Sequence, residues 1–272
     1  MLSPIVHHPA NFQLGPLEVT GFGLAVLAAF AVSQIICQRE LWRRGHDVEA
    51  DAIPDIVLAA LVGTLIGAKT YYVVLTGDPG AFFSRGGFVF WGGFMGSVAL
   101  CWAVIRYKKL NFLRIADVAG IAIAAGYAVG RTGCWAVGDD YGRPWNGFLA
   151  TQFPEGAPPS TVSVMSSQFG VSFPAGTNPA DVVAVHPTQL YETLMGFIMF
   201  MVLWRFRAHT NREGWLFGLY CVVAGIERFI VEFFRAKDDA LTVGLTTAQI
   251  IAITIFSIGV GLLVTRRRPA AA

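Results

Sequence analysis

Seven runs of about 20 largely apolar residues, near 19–38, 53–75, 87–105, 115–137, 190–205, 214–234 and 246–265, leave this chain few folds to adopt. A helix of that length crosses the hydrocarbon of a bilayer while bonding all of its own backbone groups, a property shared only with closed barrels. The reading is therefore an all-α integral membrane protein with seven transmembrane helices, a single polytopic domain over residues 1–272. Composition agrees, because a chain that is 54% hydrophobic and 14% charged has too few polar groups to cover a soluble globule of this size. The net charge of +2 is small and the basic residues are scattered, so no nucleic acid partner is expected. Cys37, Cys101, Cys134 and Cys221 stand singly, without a CxxC pair, which fits buried thiols better than disulfides or a zinc site.

Lysine and arginine set the orientation. The connections leading from odd to even spans hold Arg39, Arg43, Arg44, then Arg106, Lys108, Lys109, Arg114, then Arg205, Arg207, Arg212, and the C-terminus holds Arg266, Arg267, Arg268. These are 13 of the 20 basic residues, all on one side. The positive-inside rule makes that side cytoplasmic, with the N-terminus outside and the C-terminus inside. The other seven are Lys69, Arg85, Arg131, Arg143, Arg228, Arg235 and Lys237, within spans or toward the outer face. The first residues lack the basic region and cleavage site of a signal peptide, so the first span is expected to stay attached. Between the fourth and fifth spans, residues 138–187 are rich in proline, glycine, serine and threonine. They are too polar to cross and too long for a simple turn, and read as an extracytoplasmic loop or arm. The glycines of the third span, Gly86 to Ser97, suit close helix packing.

The stretch Gly130 to Trp145, GRTGCWAVGDDYGRPW, drives an arginine into an apolar segment at a cost on the order of 3 kcal/mol. Such a cost points to function. Arg131 has no acid within a turn on its N-terminal side, and Asp139 lies two turns away where the helix should end, so something outside its own helix must satisfy it. In the sixth span Arg228, Glu232 and Arg235 fall at i, i+4 and i+7, a spacing that predicts one helical face. A guanidinium fork grips a phosphate by two hydrogen bonds, and Glu232 would hold an arginine in place until an anion arrives. The same residues would also make a structural ion-pair ladder, and both readings stand. The fifth span opens with HPTQLYE, His186 to Glu192, in which Gln189 and Glu192 share a face and His186 is either a base or an interfacial cap. Glu227 and Lys69 read as snorkelling or pairing with each other, and Cys134 as a small polarisable filler.

GRTGCWAVGDDYGRPW, HPTQLYE and ERFIVEFFRAKDD, in that order, resemble the signatures of the bacterial prolipoprotein diacylglyceryl transferase family. GTLIGAKTYYVV (Gly63 to Val74) and FWGGFMG (Phe90 to Gly96) resemble two further blocks of it. The resemblance implies transfer of the diacylglyceryl group of phosphatidylglycerol to the lipobox cysteine thiol of a preprolipoprotein peptide, releasing glycerol phosphate. It places the reaction at the outer face of the bacterial inner membrane, among membrane lipids, and implies no metal or nucleotide cofactor. Arg131, Gly133, Gly142, His186, Gln189, Glu192, Arg228, Glu232 and Arg235 stand on matching motif positions. The chain departs from the family pattern at Trp91 (usually histidine), Cys134 (asparagine), Asp139 (glutamate), Lys69 (arginine) and Phe22 (tyrosine).

On this reading Arg131 and Arg228 clamp the phosphate, Arg235 and Glu232 orient that clamp, and His186 or Asp139 removes or relays the thiol proton. Gln189, Glu192, Gly133, Gly142 and Tyr141 complete the substrate-binding set. A divergent paralogue with another acceptor remains open, as does a non-enzymatic lipid or small-molecule transporter. The transporter reading would be favoured by inverted repeats, and none is evident. A photoreceptor would need a Schiff-base lysine, and the last span has none.

Overall fold

The computed structural model describes residues 3–15, 17–84, 87–236 and 244–268. Arg85 and Lys237, and Asp238 and Asp239 at the end of the third sequence block, lie outside the described residues. The helices are α1 (Gly21–Arg43), α2 (Asp47–Thr76), α3 (Phe90–Tyr107), α4 (Phe112–Val137), α5 (Val162–Phe169), α6 (Thr188–Phe206), α7 (Trp215–Val231) and α8 (Thr247–Thr265). Every one of them except the short α5 overlaps an expected apolar run. Among the described residues α1, α2, α4 and α8 are long and apolar enough to cross a membrane. The chain is thus an all-helical membrane protein by both composition and structure. Helix ends follow local chemistry: α2 closes at Gly77 in the left-handed region (φ +68°), and α8 opens with a reciprocal Thr246–Gln249 capping box.

Two compact units divide the chain, with boundaries inside α1 and α4: residues 34–119, and residues 1–33 together with 120–272. In the first, α2 and α3 touch backbone to backbone. A Cβ on Gly67 would lie 2.2 Å from the Gly92 carbonyl oxygen, and one on Gly63 would lie 2.5 Å from that of Gly96. The close approach expected of the glycine-rich third span therefore occurs, with α2 as its partner. Lys69 is buried in this unit, donating to the Ser84 carbonyl at 2.5 Å and lying over the Phe88 ring. Trp91 is half-exposed between Phe90 and Phe94.

The second unit packs α7 on α8 through Gly218 and Gly259, and seats Gly196 of α6 against Tyr127 and Ala128 of α4. Four short strands accompany these helices: β1 (Ile5–Val6), β2 (Asn11–Leu14), β3 (Leu17–Thr20) and β4 (Thr151–Gln152). β2 and β3 form an antiparallel hairpin, and β1 pairs parallel with β4 in the register Ile5↔Thr151 and Val6↔Gln152. The 138–187 segment is more than a loop. It carries β4 and α5 and has its own apolar core of Tyr141, Phe153, Met165 and Val185, closed by Ala236 from beyond α7.

Candidate active site

The site begins where α4 stops. Gly138 takes the left-handed conformation (φ +69°) and ends the helix, and Asp140 takes it as well (φ +57°), which among non-glycine residues aspartate and asparagine tolerate best. The two turns fold the chain back over the last turns of α4. The Asp140 carboxylate thereby meets Arg131, nine residues earlier, at 2.8 Å. The first turn of α6 fastens this fold: the Thr188 hydroxyl donates to the Asp140 carbonyl at 2.7 Å, and the Gln189 amide donates to the Asp139 carbonyl at 2.5 Å.

Arg131 has a second acid. Its other terminal nitrogen donates to Glu192 of α6, and it also reaches the Cys134 sulfur at 3.4 Å. Arg235 grips the same Asp140 with both terminal nitrogens, one of them at 3.1 Å, and lies 3.6 Å from Glu192. Two arginines and two carboxylates thus make a closed, largely buried quartet in which each charge has two opposite neighbours. Removing one partner from such a set leaves a buried charge uncompensated, at a cost of about 3–5 kcal/mol. Arg228 stands apart, donating to Glu232 at 2.5 Å, with its own side chain 30% exposed. Although burial alone would raise it, the Arg235 and Arg131 guanidiniums hold the Asp140 carboxyl well below the usual carboxylate range. Burial pushes the neighbouring Asp139 carboxyl up and the His186 imidazole down.

A model of the prolipoprotein diacylglyceryl transferase family matches residues 9–265. This chain belongs to that family. Among its relatives, the phosphatidylglycerol–prolipoprotein diacylglyceryl transferase of Xanthomonas oryzae pv. oryzae (strain PXO99A) is 30% identical over 96% of this chain and 91% of its own length. The protein of the same name from Stenotrophomonas maltophilia (strain R551-3) is 30% identical over 96% of this chain and 92% of its own.

The family motif residues fall into two groups. Arg131, Glu192 and Arg235 meet in the quartet, Gln189 supports its turn, and Arg228 of α7 and Glu232, just past the end of that helix, flank it. Gly133, Gly142, Tyr141 and His186 serve the packing around it. A Cβ on Gly133 would lie 2.7 Å from Ala25 of α1, and one on Gly142 would lie 2.3 Å from the Phe234 carbonyl oxygen. Close approach alone accounts for both glycines. Tyr141 is buried in the core of the 138–187 segment, stacked on Phe153 and donating to the Pro158 carbonyl at 3.0 Å. The His186 ring stacks on Trp145 at 4.3 Å and has the Tyr191 hydroxyl 3.2 Å from Nδ1. Among the described residues no side-chain hydrogen bond joins it to Arg131, Arg228 or Arg235.

One expectation needs revision. Arg228, Glu232 and Arg235 do not share a helical face: α7 ends at Val231, and Arg235 is placed by an antiparallel bridge to Gly142, with the Arg143 amide donating to the Phe234 carbonyl. The carboxylates couple Arg131 to Arg235, and Arg228 stands outside that set with Glu232. Arg131 finds its acids outside its own helix, as expected: Asp140 beyond the end of α4 and Glu192 of α6, while Asp139 Oδ1 is buried without a hydrogen-bond partner among the described residues. Tyr127 went unnoticed, although it lies one turn before Arg131 within the apolar stretch of α4. Its hydroxyl stands between Glu192 and Glu227.

Proposed function

We propose that this chain transfers the diacylglyceryl group of phosphatidylglycerol to the lipobox cysteine thiol of preprolipoproteins, with Arg228 as the first anchor of the lipid phosphate. One observation carries the assignment of Arg228. A guanidinium has five N–H donors, and among the described residues Arg228 uses one of them, on Glu232, while remaining 30% exposed. It can grip a phosphate without first giving up its acid. Arg131 and Arg235 are engaged by Asp140 and Glu192, and they would stabilise the leaving phosphate as these carboxylates share them.

In the reaction the thiol sulfur forms a bond to the glyceryl carbon and the bond from that carbon to the phosphate oxygen breaks. The thiol proton leaves, and the departing glycerol phosphate gains negative charge next to the arginines. Asp139, raised by burial and close to Cys134, or His186 would relay the proton. Gln189, Glu192, Glu232, Gly133, Gly142 and Tyr141 shape and support the binding site. The chain acts as one polytopic domain of seven spans in the bacterial inner membrane, N-terminus outside and C-terminus inside, with 138–187 as an extracytoplasmic cap facing lipid and peptide. The charge asymmetry of the connections and the seven long helices support that topology. Purified protein given labelled phosphatidylglycerol and a lipobox peptide should yield a diacylglyceryl-peptide thioether. No product beside an active control would favour another acceptor or a transporter.

A further inference from the structure

Glu227 is an acid to which the reaction above gives no task. It is buried on α7 immediately before Arg228, and its hydrogen-bonding neighbour is the phenol of Tyr127 on α4. The Tyr127 oxygen lies 2.9 Å from Glu227 Oε1 and 3.2 Å from Glu192 Oε1. A phenol has one hydrogen to donate and so can serve one of these two carboxylates. The other, if ionised, would set a negative oxygen against a phenol lone pair in a low-dielectric interior, where an unmade hydrogen bond is costly. One of the two glutamates therefore carries a proton and gives it to the phenol oxygen. Glu192 is bound by Arg131 through Oε2 and faced by Arg235 at 3.6 Å, which fixes it as the anion. Glu227 has no arginine in ion-pair contact among the described residues. The positive charges that bear on it, Arg228, Arg131 and Arg235, are matched by Glu232, Glu192 and Asp140.

We propose that Glu227 is held as an uncharged carboxylic acid that donates to Tyr127, which in turn donates to Glu192. Glu227 and Tyr127 are then positioning residues: together they fix the carboxylate that Arg131 and Arg235 share. Their effect on turnover rests on the transferase reading, whereas the protonation state does not. Infrared spectra of the purified full chain in H2O and D2O near neutral pH test the latter. Glu227→Gln should remove a protonated-carboxyl C=O band and spare the carboxylate bands, and Tyr127→Phe, which keeps both acids, should shift that C=O band. In the lipid-to-peptide assay Glu227→Gln, a neutral isostere that still donates, should keep kcat within about threefold, while Glu227→Ala should lower it about tenfold, the size of one lost hydrogen bond. Loss of a carboxylate band in Glu227→Gln, or a C=O band unmoved in Tyr127→Phe, would overturn the proposal. So would a loss of activity in Glu227→Gln as large as in Glu227→Ala. If the parent protein transfers nothing but the bands behave as described, the transferase reading fails and the neutral acid stands.

Discussion

Replacing Arg228 by lysine and Arg131 by lysine should have separable effects, because the structure gives the two arginines different obligations. Lysine keeps the charge and loses the planar two-pronged grip. At position 228 the protein contact at risk is the single bond to Glu232, four residues on, which a lysine on the same helical face can replace. What is lost is the second hydrogen bond to the phosphate, about 1.5–3 kcal/mol for a bond to a charged group. Converted at 1.36 kcal/mol per decade, that lowers kcat/KM by about 10- to 150-fold, with thermal stability little changed. At position 131 the guanidinium bridges Asp140 and Glu192 through different nitrogens, and one ammonium cannot hold both in that geometry. Arg131→Lys should therefore lose stability as well as turnover. The measurements are the rate of labelled diacylglyceryl transfer to a lipobox peptide and the melting temperature of each purified variant. Near-parental rates in both variants would refute geometry-specific phosphate recognition and leave the arginines as structural ion pairs. A stability loss confined to Arg228→Lys would show that the quartet is not the stabilising unit described here.

Three further outcomes follow. Cys134→Ser should retain most activity, and Cys134→Asn should retain or raise it, because the thiol is buried filler beside Arg131; loss of turnover in a well-folded Cys134→Ser protein would give the sulfur a chemical role. A cysteine placed at Ser166, exposed on α5, should react with a membrane-impermeant thiol reagent in intact spheroplasts once the native cysteines are replaced, and labelling only after lysis would reverse the topology. Because burial holds the folded His186 below its ordinary range, stability should be full above pH ~6.5 and fall as pH drops from there toward the folded value, so His186→Gln should flatten the melting temperature across that window.

The helices were legible because their signal is local: an apolar run long enough to span a bilayer specifies its own hydrogen bonds wherever it packs, and all seven runs became helices. The intrusion of Arg131 was legible for the same reason, since a charge in such a run needs a partner whatever the fold. Which acid would answer it was not. Asp139 and Asp140 differ by one position in the sequence, and the choice depends on where α4 ends and on which residue takes the left-handed turn. Arg235 shows the limit from the other side. Helical spacing from Arg228 predicted its face, but the chain leaves the helix four residues earlier to pair with Gly142, a contact 93 positions distant that no periodicity reports.

The left-handed Asp140 ties these strands of evidence into one constraint. Were the chain to continue as helix past Gly138, residue 140 would sit about two and a half turns beyond Arg131 and on the opposite face, out of reach of its guanidinium. The reversal at Gly138 and Asp140 costs conformational freedom and some strain, and it is held by hydrogen bonds from Thr188 and Gln189, the first two residues of α6. The HPTQLYE block therefore contributes through its main-chain grip as much as through its acid. Thr188 and Gln189 fix the turn, and Glu192, one turn later on the same face, closes the quartet that the turn creates. Family motifs far apart in the chain are in this way parts of one electrostatic unit: the first block supplies Arg131 and Asp140, the second supplies the clasp and Glu192, and the third supplies Arg235 through a bridge to the first. Arg228 stands outside that unit: among the described residues it spends one donor, on Glu232, and its side chain stays partly exposed.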